Sequence, residues 1–177
     1  MEKTPHQSDA LIDLIKNSNG KIQKIAEIGV WKSRTTKRVL SHCSDIISQY
    51  WAIDPWLIEF RDRYYIKKFT DEQWEYLYIY ACKLMYWFPK LYVIRTDSFS
   101  AAKLFPDGYF DLVFIDAEHD YENMMKYIPT WLPKISLNGY LTGHDYKHYR
   151  FPGVEKAVKE VFGEVEEANG FVWIKQL

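Results

Sequence analysis

Short apolar, β-branched runs alternate along the chain with longer stretches in which apolar residues recur every three or four positions. That alternation of strand-like and helix-like periods is the pattern of a parallel sheet joined by crossover helices. It predicts strands over Ile22 to Ile28, Ile46 to Ile53, Leu91 to Arg95, Phe110 to Ile115 and Tyr140 to Gly143. Helices are expected near Thr35 to Ser41, Asp71 to Phe88, Ser98 to Leu104, Tyr121 to Leu132 and Val154 to Phe162. The run from Gly170 to Lys175 is short, branched and aromatic, and reads as a closing antiparallel strand after the Glu164 to Glu167 stretch. Little chain precedes the first strand, and no helical cap is expected there. No Ser/Gly-rich linker, repeat or low-complexity tract breaks the order. Residues 1–177 are therefore expected to form one α/β domain, a Rossmann-like, doubly wound and mostly parallel sheet.

In the longest helical stretch, Trp74, Leu77, Tyr78, Ala81, Met85 and Phe88 follow one stripe, and Tyr76, Tyr80, Lys83 and Trp87 a second. One stripe faces the core. The other suits a helix or dimer contact, or an aromatic surface for a sugar or base. Trp51 and Trp56 raise the same question beside the second strand.

Composition narrows the partners more than the fold. A formal net charge of -1 removes the uniform basic bias of a protein that lives on nucleic acid. No run of eighteen apolar residues and no charged-then-apolar leader is present, so a cytoplasmic protein without a membrane partner is expected. Cys43 and Cys82 are too few for a disulfide framework or a thiolate zinc site and read as reduced, structural thiols. The aromatic share, 18%, exceeds what a core alone needs and points to a stacking or association surface.

Ligands of open α/β sheets bind beyond the carboxyl ends of the strands. Read in order, those ends carry Glu27, Asp54, Asp97, Asp116 with Glu118 and His119, and Asp145 beside His144. A carboxylate at a strand end is costly unless a ligand, metal or helix N-terminus satisfies it. After the first strand, Gly29 lets the backbone approach a ligand, although the segment has neither a dinucleotide fingerprint nor a phosphate-binding loop. Gly29 also fits an ordinary turn, and Asp54 fits either a ribose acceptor or an Asp-Pro turn. Asp116, Glu118, His119, His144 and Asp145 together suit Mg²⁺ or Mn²⁺, with Glu118 or His119 as proton acceptor. The plainer alternatives are that His119 caps the following helix and that His144 bonds a backbone carbonyl.

The stretch Phe-Asp-Leu-Val-Phe-Ile-Asp-Ala-Glu-His-Asp-Tyr-Glu (110–122), with 131–146 and 152–158 after it, resembles the class I S-adenosylmethionine-dependent methyltransferases. Within them it is similar to the small-molecule O-methyltransferases that include sugar-modifying members. The resemblance implies that Glu27, Gly29 and Ser33 hold the methionine end of the cofactor and Asp54 its ribose. It implies that Thr96, Asp97 and Ser98 border the adenine, that Trp56 covers the adenine face, and that Asp116 stands at the cofactor's edge. It further implies Mg or Mn on Asp116 and Asp145, with Glu118 as general base and His119 as its competitor. Ser33 stands where such proteins usually have a glycine, and Tyr146 where many have an acidic or amide ligand. The expected reaction is transfer of a methyl group to a small-molecule or sugar hydroxyl, by a chain that is a possible homodimer or part of a larger polypeptide. The alternatives are a metal-dependent glycosyltransferase or hydrolase and a non-catalytic nucleoside-binding domain.

Overall fold

The apolar runs form strands β1 (Lys24–Ile28), β2 (Gln49–Asp54), β3 (Leu91–Arg95), β4 (Phe110–Ile115), β5 (Ile135–Gly143), β6 (Glu166–Ala168) and β7 (Val172–Gln176). They join one sheet in the order β3-β2-β1-β4-β5-β7-β6. Strands β1 to β5 pair in parallel, and β7 runs antiparallel between β5 and β6. The computed structural model describes residues 6–57 and 69–177. Among these, helices α1 (Gln7–Asn17), α2 (Arg34–Cys43), α3 (Asp71–Trp87), α4 (Ser98–Ala102), α5 (Tyr121–Trp131) and α6 (Pro152–Phe162) cover the two faces of the sheet. The expected doubly wound sheet with an antiparallel closing strand is the one observed. No helix among the described residues is long and apolar enough to cross a membrane.

Neighbouring positions on each strand feed opposite cores, because side chains alternate across a strand. Ile25, Leu112 and Phe114 pack with Leu11, Ile15, Val39, Leu40 and Trp74 on one side. Ala26, Val113 and Ile115 pack with Ala101, Met124, Ile128, Trp131 and Val158 on the other. Central strands buried on both faces read as continuous apolar runs, which is why their positions are plain in the sequence.

Three elements differ from expectation. Helix α1 precedes β1: His6 caps it by accepting from the Ser8 N–H, while the Asp9 carboxylate accepts from the His6 N–H in return. Arg38 of α2 ties the start of α1 down through Ser8 and Asp9. Strand β5 begins at Ile135 rather than Tyr140, with a register shift opposite Phe110 and Leu112. In α3 the buried stripe is Trp74, Leu77, Ala81 and Leu84, leaving Met85 exposed with Tyr76 and Trp87.

Strand order reverses direction between β1 and β4, and that switch point is where a crevice opens. Gly29 sits at its base with φ +91°, and a Cβ there would lie 2.2 Å from the Asp116 carbonyl oxygen. Only glycine permits this crossing.

Candidate active site

The turn from β1 into α2 is wound tightly, with Trp31 and Ser33 both at positive φ. Asp54, at the end of β2, holds it. One Asp54 oxygen accepts from the Trp31 N–H at 2.8 Å and the other from the Trp56 N–H at 2.7 Å. The carboxylate is fully buried, so it shapes the turn and presents no exposed edge to a ribose. Trp56 is buried as well. Its ring is fully buried against Tyr78, and its Nε1–H donates to the Trp31 carbonyl at 3.0 Å. Ser33 precedes α2 without capping it through its side chain, and its buried Oγ has no hydrogen-bond partner among the described residues. Glu27 lies beneath the turn, accepting from the hydroxyls of Thr36 and Tyr50. Burial, only partly offset by those hydrogen bonds, pushes its pKa up to about 8.

Beside the turn, a cleft of roughly 440 Å³ including its open mouth is lined by Gly29, Ile53, Asp97, Phe99, Glu118 and Tyr127, among others. Asp97 caps α4, accepting from the Phe99 and Ser100 N–H groups; burial opposes its charge, but these and the Ser100 hydroxyl bond hold its pKa below the usual value. Ser98 also lines the cleft, and its Oγ accepts from the Trp131 indole N–H at 2.8 Å. Thr96 is half-buried and outside this lining. The stacked rings of Phe99 and Tyr127 supply an aromatic wall. Glu118, expected as general base, faces this cleft, where its carboxylate accepts from the Tyr127 hydroxyl.

Its neighbour His119 turns the other way. His119 Nε2 lies 2.7 Å from Asp145 and 3.2 Å from Asp116, and His144 Nδ1 lies 3.3 Å from each. Both imidazoles thus stand between the same two carboxylates. Asp120, not His119, caps α5, and His144 pairs with carboxylates rather than a backbone carbonyl. Burial works against charge on His144, but the hydrogen bonds and negative charges of Asp116 and Asp145 prevail and raise its pKa to about 10. Gln7, at the start of α1, donates to the second oxygen of Asp116 at 3.1 Å. No feature of the local sequence marks Gln7, which lies 109 positions from its partner. Beyond His119 the rings of Phe151, His148 and Phe171 run outward in contact to an exposed edge. Tyr146 is buried beneath, its N–H bonded to the Phe171 carbonyl, and takes no part in the cluster.

A cleft at the switch point, a glycine turn at its floor and a carboxylate-imidazole cluster across the Gly29–Asp116 contact define a Rossmann-like small-molecule enzyme site. The chain belongs to the methyltransferase domain family, whose profile matches residues 26–146. The resemblance to class I methyltransferases is therefore borne out. Among solved structures, the O-methyltransferase NovP is similar at 15% identity, with a TM-score of 0.69 over 96% of this chain and 78% of that one. CalS11, a TDP-rhamnose 3'-O-methyltransferase, is similar at 12% identity, with a TM-score of 0.61 over 96% and 79%. Spermidine synthase from Thermotoga maritima is similar at 14% identity, with a TM-score of 0.56 over 87% and 52%, so likeness at this level speaks for the fold alone. A search of curated protein sequences found no match.

Proposed function

We propose that this chain is an S-adenosylmethionine-dependent O-methyltransferase acting on a small-molecule or sugar hydroxyl. One observation carries the reading: an aromatic-walled cleft and a carboxylate-imidazole cluster meet at the crossing of Gly29 and Asp116. Two chemically different subsites share one edge, as transfer between a cofactor and an acceptor requires.

On the cofactor side, Gly29, Ser33 and the free N–H groups opening α2 receive the methionine end. The buried Glu27 beneath them gains charge when the cofactor's cationic end sits above. Asp54 serves the ribose through the turn it holds, while Asp97 and Glu118 are the carboxylates that line the cleft. Ser98, Phe99 and Tyr127 enclose the adenine, with Thr96 at its border.

On the acceptor side, Asp116, His119, His144 and Asp145 orient the hydroxyl and take its proton. The acceptor oxygen forms a bond to the methyl carbon as the carbon–sulfur bond breaks, and the electron pair stays on sulfur. Neutral S-adenosylhomocysteine and a methyl ether result. Asp116 and Asp145 also fit a divalent ion such as Mg or Mn, which when bound lowers the pKa of an acceptor hydroxyl. The outward run of Phe151, His148 and Phe171 offers ring faces to a sugar or a planar acceptor. The acceptor site is also expected to draw on residues 55–90, of which 58–68 lie outside the described residues. The deciding experiment is calorimetric titration of S-adenosylhomocysteine, with divalent metal and then with chelator. Micromolar binding is expected; no binding under either condition overturns the reading.

A further inference from the structure

We infer that Asp116, His119, His144 and Asp145 form a four-donor site for a first-row transition-metal dication, with Gln7 as the arm that orients Asp116. The inference rests on the methyltransferase reading for what the ion serves, but not for its binding.

The donor atoms come from two adjacent strand ends and all lie within 4.8 Å of one another. Each imidazole nitrogen faces both carboxylates, at 2.7, 3.2, 3.3 and 3.3 Å. Ligands at about 2.1 Å around a single ion stand about 3 Å or slightly more apart, so these spacings are already those of one coordination shell. The cluster needs little rearrangement to close on an ion.

The donor types decide which ion. Carboxylates alone leave magnesium competitive, whereas imidazole favours the transition series, in the affinity order Mn²⁺, Co²⁺, Zn²⁺. Two imidazoles of four donors tilt this site away from Mg²⁺. His119 then acts as a ligand, and the acceptor's proton leaves by a carboxylate or solvent.

The surroundings are built for ligation as well. The His119 and Asp145 side chains are 4% and 5% exposed, closing the back of the site, while His144 and Asp116 at 19% and 17% leave its front open. Gln7 occupies one oxygen of Asp116 and leaves the other facing the imidazoles. Partners of this kind fix a metal ligand's direction, and their loss costs about 10–100-fold in affinity. Gln7 lies outside residues 26–146, so this arm belongs to a part of the chain that the family profile does not reach.

The test is titration of Co²⁺ into the full chain, followed by its visible absorption, with competition by Zn²⁺ and Mg²⁺. One equivalent of Co²⁺ is expected, displaced stoichiometrically by Zn²⁺ and retained against a hundredfold excess of Mg²⁺. His119→Ala and His144→Ala, checked for folding by circular dichroism, are each expected to weaken Co²⁺ binding about tenfold or more, and Gln7→Ala about tenfold. Displacement by Mg²⁺ at comparable concentration overturns the inference, as does unchanged Co²⁺ affinity in both folded histidine variants. S-adenosylhomocysteine titrated into the same samples separates the two readings. Cofactor binding without cobalt binding removes the metal site alone; cobalt binding without cofactor binding supports the metal site and removes the methyltransferase.

Discussion

Asp54 and Asp116 close the strands on either side of β1, yet their carboxylates are satisfied in opposite ways. Asp54 accepts two backbone N–H groups of the turn it holds. Asp116 accepts a side-chain amide and shares its other oxygen with two imidazoles, all of which can re-pair. The same residue type at equivalent ends of parallel strands is architecture in one case and chemistry in the other. The partner, not the carboxylate, makes the difference, since a main-chain bond in a buried turn is released only with the turn.

The sharpest way to break that contrast is to strike the crossing the two regions share. Gly29→Ala would place a Cβ 2.2 Å from the Asp116 carbonyl oxygen at a backbone angle alanine resists. It is expected to destabilise the fold by more than about 3 kcal/mol and to abolish both cofactor and cobalt binding, read by urea unfolding and titration. Next in size, Asp116→Asn should lower methyl transfer by about 10²–10⁴-fold while the unfolding midpoint moves little. Equal losses of turnover and stability would make Asp116 architectural after all.

Asp54→Ala should show the reverse. Two buried N–H groups lose their acceptor, for about 3 kcal/mol of stability and a weakened cofactor site, with Co²⁺ affinity unchanged. If Co²⁺ affinity falls with it, the two regions are not separable.

The smallest effect concerns pH. Glu27 has its pKa raised from 4.5 to about 8, so the folded chain holds a proton that the unfolded chain has released. Its contribution is complete below pH 4.5 and is lost as pH rises through about 8. Metal-free His144, raised from 6.5 to about 10, acts in the same direction over a higher window. Glu27→Gln should flatten the decline between pH 5 and 8, measured by denaturant titration at each pH. An unchanged slope would mean that Glu27 is ionised in the folded protein.

What the sequence conveys follows from which forces are local. Strands β1 and β4 announce themselves because both faces are buried and most positions are apolar. The acidic strand ends stand out for the converse reason, as charges where burial is expected. Orientation is not local. Glu118 and His119 are adjacent in sequence, yet one faces the cleft and the other the carboxylate-imidazole cluster. The inward turn of Asp54 depends on Trp31 and Trp56 adopting positive φ, which no bulky residue advertises. Helix α1 escapes notice because His6 is an unusual cap and because Arg38 anchors it from another helix. Gln7 is legible only once that helix is in place.

The start of α1 also rests on the turn between β6 and β7. A Cβ on Gly170 would come within 2.8 Å of the Gln7 backbone nitrogen. The arm that steadies Asp116 is thus wedged by a turn made some 160 residues later in synthesis. A nascent chain that has emerged only through Asp145 carries all four donors but not the turn that packs against Gln7. If the cluster binds an ion, capture at full strength would therefore wait for the turn at Gly170.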